Sequence, residues 1–287
     1  IVSRDWSSDV CSSDLKNFTK SILLALCLPA MLVSCGNGGN APKNPGEKAD
    51  TLRLMTYNVG VFGKYVENSA PMIASMIKEM GANTCALNEL DSCNTRHNVY
   101  QAKYLAECLG EGWDYAFGKA ISYRGGSYGE GLVTRDTVIN RYNITLPQGE
   151  GAEQRVCAVI ETPKYVFASV HLDHVSSVAA LEQARIVTTT LQKAYYKSHK
   201  HVFLCGDMNV TPESEVMKYY FKHWTNLSGT GVSFPSRDSK ICIDYILLMK
   251  NKAKVNVLDA KVCRKFETGD PEMASDHLPV YVELELL

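Results

Sequence analysis

The sequence predicts an α/β fold in which mixed β-sheets pack against each other and helices cover them on the outside. Two observations lead to this class. Short apolar runs with strand character recur along the chain, and segments with helical periodicity lie between some of them. Several strand candidates also follow one another without a helix, at 156–170 and 243–261. That succession argues against an all-parallel sheet, because each parallel crossover needs a long connection.

From residue 51 onward we predict one domain, 51–287, because neither an internal repeat nor a second linker is present. The strands are predicted from apolar or alternating runs bounded by polar residues. They cover 52–57, 84–87, 130–134, 156–160, 165–170, 201–204, 243–248, 255–261 and 280–286.

Four segments have the periodicity of amphipathic helices, namely 69–80, 98–109, 177–196 and 212–223. In the first, methionine and isoleucine share one face and Gly81 follows, which indicates a core-facing helix and its end. The last is predicted to begin with Thr211 as N-cap and Pro212 at the first helical position.

The first fifty residues precede this domain. Residues 1–15 carry tandem Ser-Ser-Asp units that fit no export signal, and we interpret them as non-native sequence introduced by assembly. Residues 16–35 place two lysines near an apolar run that is too short to span a bilayer, as in a signal peptide. The run ends in Leu-Val-Ser-Cys, which resembles the lipobox of bacterial lipoproteins and predicts a lipid anchor at Cys35. An ordinary secretory signal with a coincidental cysteine is the alternative.

Residues 36–50 are dominated by Gly, Asn, Pro and Lys and predict a flexible linker. We therefore expect an exported protein that is attached by lipid to the bacterial cell envelope, on its periplasmic or surface face. The cysteines of the domain form no C-x-x-C pair, and Cys85, Cys157, Cys205 and Cys242 lie inside apolar strand-like runs. Small buried side chains explain them better than zinc ligands.

The composition is that of an ordinary globular protein. The 287 residues are 45% hydrophobic and 21% charged, with a formal net charge of -1. This balance argues against the strongly basic character of proteins that bind duplex DNA. It does not exclude a nuclease, because a metal site can supply positive charge locally.

Polar side chains that can bind metal or phosphate follow the ends of the predicted strands. Carboxylate and amide oxygens suit a hard cation such as Mg²⁺, and no H-E-x-x-H or Cys-rich zinc pattern competes for these positions. The candidates are Asn58, Glu89, Tyr128, Glu130, His171, Asp173, His174, Asp207, Asn209, Asp244, Asp276 and His277.

Six motifs occur in the order found in one superfamily. They are Thr-Tyr-Asn at 56–58, Asn-Glu-Leu at 88–90, Ser-Val-His-Leu-Asp-His at 169–174, Gly-Asp-Met-Asn-Val-Thr-Pro at 206–212, Ile-Asp-Tyr-Ile at 243–246 and Ser-Asp-His-Leu-Pro-Val at 275–280. From about residue 52 to 282 the sequence resembles the endonuclease/exonuclease/phosphatase superfamily. The resemblance implies a four-layered α/β sandwich, with two packed mixed β-sheets flanked by helices and the active site at one edge.

The resemblance also implies residue roles. Asn58, Glu89 and Asp276 would hold a divalent ion, Mg²⁺ or Mn²⁺. Asp207 and Asn209 would position the attacking water, with Asp207 as a candidate base.

The remaining implied roles concern the phosphate. His277, oriented by Asp244, would contact the scissile phosphate as a general acid-base or as an electrostatic stabiliser. His171 would stabilise charge on the phosphoryl oxygens, with Tyr128 and Glu130 beside it.

Two positions bear on the substrate. Many nuclease members have a basic residue two positions after the metal-binding glutamate, where this sequence has Asp91, and their common glutamine before it is replaced by Asn88. The segments around Glu89 and His171 resemble the secreted bacterial branch of the superfamily near sphingomyelinases and small-molecule phosphodiesterases. This resemblance implies a phosphodiesterase that acts on a lipid or small-molecule phosphodiester, with nucleic acid as a less favoured partner. We also expect a monomer. An exported nonspecific nuclease and a catalytically silent binding lipoprotein are the alternatives.

Overall fold

The computed structural model describes residues 51–287 and the backbone of Val2–Ser3. Its strands are β1 (Val2–Ser3), β2 (Thr51–Asn58), β3 (Thr84–Ser92), β4 (Asp114–Tyr123), β5 (Gly126–Thr134), β6 (Asn140–Thr145), β7 (Val156–Glu161), β8 (Tyr165–His171), β9 (His201–Asp207), β10 (Trp224–Asn226), β11 (Asp244–Met249), β12 (Val255–Val262) and β13 (Val280–Leu286). Its α-helices are α1 (Ala70–Glu79), α2 (Gln101–Leu109), α3 (Ser177–Tyr195), α4 (Glu215–His223) and α5 (Pro271–Ala274), and a short 3-10 helix covers Gly60–Phe62.

The strands form two mixed sheets. Sheet A has the order β1-β6-β7-β8-β9-β11-β10, and sheet B has the order β12-β13-β2-β3-β5-β4. The pairs β8–β9 and β2–β3 are parallel, while the other neighbouring pairs are antiparallel. The two-residue strand β1 pairs with Asn143 and Ile144 at the edge of sheet A.

Three apolar clusters separate four layers. One lies between α3, α4 and sheet A, one lies between the two sheets, and one lies between sheet B and α1 and α2. Alternation along β8 shows the cause, because Val166 and Ala168 face the helices whereas Tyr165 and Phe167 face sheet B. The four-layered α/β sandwich is confirmed.

Some boundaries differ from the sequence prediction. Helix α4 begins at Glu215 and not at residue 212, because Ser214 is its N-cap and accepts a hydrogen bond from the backbone N–H of Met217. Pro212 instead lies in a turn in which the N–H of Ser214 bonds the carbonyl of Thr211. Strands β4, β6 and β10 were not predicted, since their residues alternate only weakly between buried and exposed.

Buried cysteines were predicted correctly. Cys85, Cys157, Cys205 and Cys242 are free thiols inside the apolar layers. Burial raises the pKa of the Cys85 thiol above its ordinary range, so these side chains behave as small apolar groups.

The predicted signal peptide at 16–35, its Cys35 and the linker at 36–50 lie outside the described residues, as does most of segment 1–15. Among the helices of the described part, none combines the length and apolar character required to cross a bilayer.

Candidate active site

Three adjacent strands of sheet A place polar side chains in one row. The parallel pair β8–β9 sets His171 beside Asp207, and the antiparallel strand β11 sets Asp244 on the other side of Asp207. Gly206 allows this close approach, because a side chain there would overlap the carbonyl oxygen of Val170. The row therefore lies at the edge where β8 and β9 end and β11 begins.

Sheet B brings its own polar residues to the same edge. Parallel pairing sets Asn58, the last residue of β2, beside Asn88 of β3. The register between β3 and β5 shifts between Leu87 and Leu90, and this bulge contains Glu89 with φ of 59°. A bulge re-aims a side chain, and left-handed backbone is uncommon outside glycine, so Glu89 is turned out of the regular pleat.

Asn58 connects the two sheets. Its Nδ2 donates to Glu89 Oε1 at 3.1 Å and to Asp207 Oδ2 at 3.2 Å. Its backbone carbonyl accepts a hydrogen bond of 2.6 Å from the hydroxyl of Ser275, which precedes Asp276. The buried amide of Asn58 therefore contacts both Glu89, a predicted metal ligand, and Asp207, a predicted catalytic residue.

His277 forms a buried pair with Asp244. The distance from His277 Nδ1 to Asp244 Oδ2 is 2.9 Å, and the hydroxyl of Ser233 donates to the same carboxylate oxygen at 2.6 Å. Burial alone lowers the pKa of His277, but the charges of Asp244 and Asp207 outweigh it and raise that pKa to about 10. At neutral pH the ring is an imidazolium whose Nε2 lies 3.5 Å from Asp207 Oδ2.

His171 approaches the same carboxylate in the opposite protonation state. Its Nε2 lies 3.4 Å from Asp207 Oδ2, and its Nδ1 lies 3.4 Å from the guanidinium Nη1 of Arg155. A guanidinium only donates, so Nδ1 accepts and Nε2 carries the proton. Burial first, and then the charge of Arg155, lower the pKa of His171 well below its ordinary value, so the ring is neutral.

Asp207 is the centre of this arrangement. Its Oδ1 accepts from the backbone N–H of Asn209 at 2.8 Å, while Oδ2 faces Asn58 and both imidazoles. Burial raises the pKa of Asp207 to about 7, and the charge of His277 opposes that rise. A carboxyl group that titrates near neutrality is suited to accept a proton from water.

Glu130 and Tyr128 of β5 flank these residues. Glu130 is fully buried, which raises its pKa to about 8, and its Oε1 lies 3.7 Å from His171 Nδ1. Asn88 donates to the other oxygen at 2.9 Å and also accepts from the N–H of Asp207 at 2.9 Å. Burial raises the pKa of Tyr128, so its hydroxyl remains protonated and can donate.

A small pocket of about 280 Å³ opens beside Glu89. Arg96 lies in its wall and makes two hydrogen bonds of 2.8 Å to Asp91, a carboxylate that is 0% exposed. The guanidinium also stacks 4.7 Å from the ring centroid of Tyr123. Asp91 is thus the buried partner that fixes Arg96 at the pocket.

Lys64 contributes a second cation to this pocket. Its Nζ lies 2.6 Å from Asp276 Oδ2, and the charge of Glu89 also acts on it. Glu89 and Asp276 are both partly exposed, in contrast to Asp207. Their accessible oxygens fit a hard divalent cation, and the ammonium bound to Asp276 shows that this position attracts positive charge. Asn58 presents Nδ2 to Glu89, because its Oδ1 accepts from the N–H of Gly60.

A second cluster of side chains also has the spacing of metal ligands. Within the described residues, ligand atoms of Asp207, Asp244 and His277 all lie within 4.8 Å of one another. In this group, His277 Nδ1 already lies 2.9 Å from Asp244 Oδ2, and all three side chains are buried. The carboxylates of Glu89 and Asp276, in contrast, are partly exposed, so both groups of residues are candidates for a divalent ion.

The structure brings most sequence-predicted residues together, although not all side chains face inward. Asp173 Oδ1 accepts from the backbone N–H groups of Val175 and Ser176, so this carboxylate shapes a turn. Asn209 has φ of 54° and donates from Nδ2 to the carbonyl of Leu172 at 2.9 Å, which ties it to the loop after β8. Of the two, Asn209 remains beside Asp207 through its backbone.

Sequence reasoning missed Arg155 and Lys64. Arg155 is 2% exposed and also reaches His174 Nδ1 at 3.2 Å. An isolated arginine directly before the apolar strand at 156–161 was the available signal. Lys64 follows an irregular turn and carried no signal of its own.

Comparison with solved structures agrees with this fold. An endonuclease/exonuclease/phosphatase family protein from Bacteroides thetaiotaomicron has a TM-score of 0.61 at 20% identity, covering 83% of this chain and 95% of that one. A family protein from Bacteroides vulgatus has a TM-score of 0.65 at 17% identity, covering 83% and 100%. A mannosyl-6-phosphatase from Bacteroides thetaiotaomicron has a TM-score of 0.60 at 20% identity, covering 81% and 99%.

At these identities the solved structures establish the fold. No protein of curated function matches the sequence significantly. The model of the Endonuclease/Exonuclease/phosphatase family matches residues 55–277, which is most of the chain and contains every residue of the site described above. The chain belongs to the Endonuclease/Exonuclease/phosphatase family.

Proposed function

We propose that this protein is a divalent-metal-dependent phosphoric-ester hydrolase that acts on a small-molecule phosphodiester. The observation that carries the proposal is the position of Asp207 between a neutral imidazole, His171, and a cationic imidazole, His277. That arrangement offers a proton acceptor and a proton donor side by side. Attack of water on phosphorus requires both.

Asn58, Glu89 and Asp276 are proposed to hold Mg²⁺ or Mn²⁺. Such an ion would neutralise charge on the phosphoryl oxygens and on the leaving group. The partial exposure of Glu89 and Asp276 supports their part in this proposal, because solvent and an exchanging cation can reach both carboxylates.

The buried residues are proposed to handle protons and charge. Asp207, with the Asn209 backbone beside it, orients the attacking water and accepts its proton. His277 donates a proton toward the leaving oxygen, and Asp244 holds the ring in position through Nδ1. His171 donates from Nε2 to a phosphoryl oxygen, with Glu130 behind it.

Phosphomonoester hydrolysis is the second candidate. The solved structure of a mannosyl-6-phosphatase shares this fold, and that name describes a monoesterase. The pocket beside Glu89 supplies two cationic side chains, Lys64 and Arg96, which would suit the additional charge of a monoester. Its volume of about 280 Å³ favours a small substrate over a polymer.

The test is a substrate panel with the purified protein in Mg²⁺ or Mn²⁺, with and without chelator. The panel contains bis-p-nitrophenyl phosphate, p-nitrophenyl phosphate, mannose 6-phosphate, phosphorylated inositols, sphingomyelin and plasmid DNA. We expect chelator-sensitive turnover with the diester above that with the monoesters. Preferred turnover of a monoester would select the second candidate, and efficient DNA cleavage would select a nuclease. Activity that survives chelation would contradict the metal-dependent mechanism.

We also propose that the enzyme is exported and is lipid-anchored at Cys35. Support comes from the lipobox-like Leu-Val-Ser-Cys that ends at this residue. Mass spectrometry of the mature amino terminus tests this, and an unmodified terminus at another residue would contradict it.

A further inference from the structure

We propose that Lys64 is a built-in competitor of the divalent ion. Its ammonium occupies Asp276 when no metal is bound, and metal binding releases it into the pocket beside Arg96, where it meets the anionic substrate. The inference rests on the proposed function, because it requires that Asp276 is a ligand of a catalytic cation.

Contacts of Lys64 place it at the metal ligands. The ion pair with Asp276 is short, at 2.6 Å, and Asp276 lies one residue after Ser275, whose hydroxyl bonds Asn58. The Lys64 side chain is 40% exposed and that of Asp276 is 17% exposed. The ammonium therefore reaches the carboxylate from the solvent side, and it can leave without unfolding the site.

The backbone before Lys64 is built into an unusual turn. Gly60, Val61 and Phe62 have consecutive φ values of 51°, 53° and 56°. Left-handed backbone is costly for L-residues and most of all for a β-branched one such as Val61. Strain of this kind persists where surrounding contacts enforce it, and it concentrates at functional segments.

Neighbouring contacts enforce this turn. The side chain of Gln101 donates to the carbonyl of Val61 at 2.6 Å and accepts from the N–H of Asp91 at 2.7 Å. The N–H of Gly60 bonds Asn58 Oδ1 at 3.2 Å. The turn is thus tied both to the Asn58 amide and to the backbone of Asp91, the residue whose carboxylate binds Arg96.

Gly60 also makes room for the lysine. A side-chain carbon on Gly60 would lie only 3.3 Å from Lys64 Cβ and 3.6 Å from the hydroxyl of Ser275. The Lys64 side chain therefore folds back over Gly60 toward Asp276 instead of extending into solvent. A turn that was only a connection would not require this path.

Electrostatic repulsion prevents the Lys64 ammonium and a divalent ion from binding Asp276 at the same time. A monovalent ammonium and a divalent ion at one carboxylate repel each other strongly at contact distance. Loss of the Lys64 charge should therefore tighten metal binding by about tenfold or more. The released ammonium remains in the pocket with Arg96, whose own charge is already matched by Asp91.

The first experiment measures Mn²⁺ affinity of the full chain by isothermal titration calorimetry. Lys64→Met should bind Mn²⁺ at least about tenfold more tightly than the wild type, and Lys64→Arg should stay close to it. Lys218→Met is the matched control, since Lys218 pairs with Glu215 on the exposed face of α4. Unchanged or weaker binding by Lys64→Met would refute the competition.

The second experiment uses the wild type, so it does not depend on a variant that folds. Amine acetylation followed by mass spectrometry compares the labelling rate of Lys64 with and without Mn²⁺. Release predicts faster labelling of Lys64 in Mn²⁺, with no change at the exposed Lys119. A rate that is unchanged or lower would overturn the release.

The two experiments separate this inference from the proposed function. A wild type that binds no Mn²⁺ would refute both. Mn²⁺ binding together with chelator-sensitive hydrolysis, but without an effect at Lys64, would refute only the role of the lysine.

Discussion

The two sheets supply different kinds of residue to the site. Sheet A supplies His171, Asp207 and Asp244, which are 4%, 1% and 2% exposed. Sheet B supplies Glu89, which is partly exposed, and Asp276 just before β13 is partly exposed as well. Under the proposed function, this difference would let one site combine buried groups that hold protons in fixed positions with accessible ligands for an exchangeable cation.

Sheet B also supplies buried polar residues, which refines this contrast. Asn58 and Glu130 both lie within sheet B, yet each faces a partner from sheet A, Asp207 and His171 respectively. Burial therefore depends on whether a side chain lies at the seam, the contact region between the two sheets, and not on which sheet it belongs to. If this contrast is functional, substitutions at the seam should lower the rate, and substitutions of the accessible carboxylates should weaken metal binding.

The largest effect is expected from substitutions of the buried residues Asp207 and His277. Asp207→Asn and His277→Gln should each lower kcat/KM for bis-p-nitrophenyl phosphate by on the order of 10³-fold or more, because each acts in the transition state. His277→Gln should not weaken Mn²⁺ binding. His199→Gln, at an exposed loop position, is the control. Near-native turnover in either variant would contradict the assigned role.

Asp244→Asn should have the next largest effect, about 10²- to 10⁴-fold in kcat/KM, because it removes the partner that orients His277. In the wild type, kcat/KM should rise through about pH 7 as Asp207 ionises and fall near pH 10 as His277 loses its proton. Burial alone lowers the pKa of His277, so without Asp244 the descending limb should move to lower pH. An NMR titration of the His277 ring checks this, and an unshifted pKa would contradict the pairing.

Glu89→Gln should raise the dissociation constant for Mn²⁺ on the order of a hundredfold, because it removes a full negative charge beside a divalent ion. The pKa of His277 should change little. Calorimetry measures the first quantity and NMR measures the second. Glu215→Gln, on the exposed start of α4, is the control. If Glu89→Gln bound Mn²⁺ with the affinity of the wild type, the cation would have to be bound by other residues.

The smallest effect is expected at the pocket. Asp91→Asn should raise KM about five- to tenfold and leave kcat nearly unchanged, because Arg96 loses one charged hydrogen-bond partner and with it a fixed orientation. Asp114→Asn provides a matched control, since Asp114 pairs with Arg141 away from the site. Thermal unfolding of both variants checks that they fold. A fall in kcat with constant KM would contradict this and would indicate that Arg96 acts in the catalytic step.

Much of this molecule could be predicted from sequence, and the omissions have physical causes. Four layers follow from strands whose two faces are both apolar, as in β8, and the site residues follow from polar positions at strand ends. Helix α4 was placed three residues early because Thr211 and Ser214 are both good caps, and only the tertiary turn selects Ser214. Lys64 could not be found, because its ion pair joins an irregular segment to a loop more than two hundred residues away. Arg155 had only its position directly before an apolar strand as a signal, since its contact with His171 forms on folding.

Strand β2 spans sheet B from Thr51 at one end to Asn58 at the site. Its eight residues cover roughly 25 Å at the usual rise of an extended chain. Residues that precede Thr51 therefore join the domain at the pole remote from Glu89. With the proposed anchor at Cys35, the linker would therefore enter the domain at the end opposite the catalytic opening and would leave that opening unobstructed.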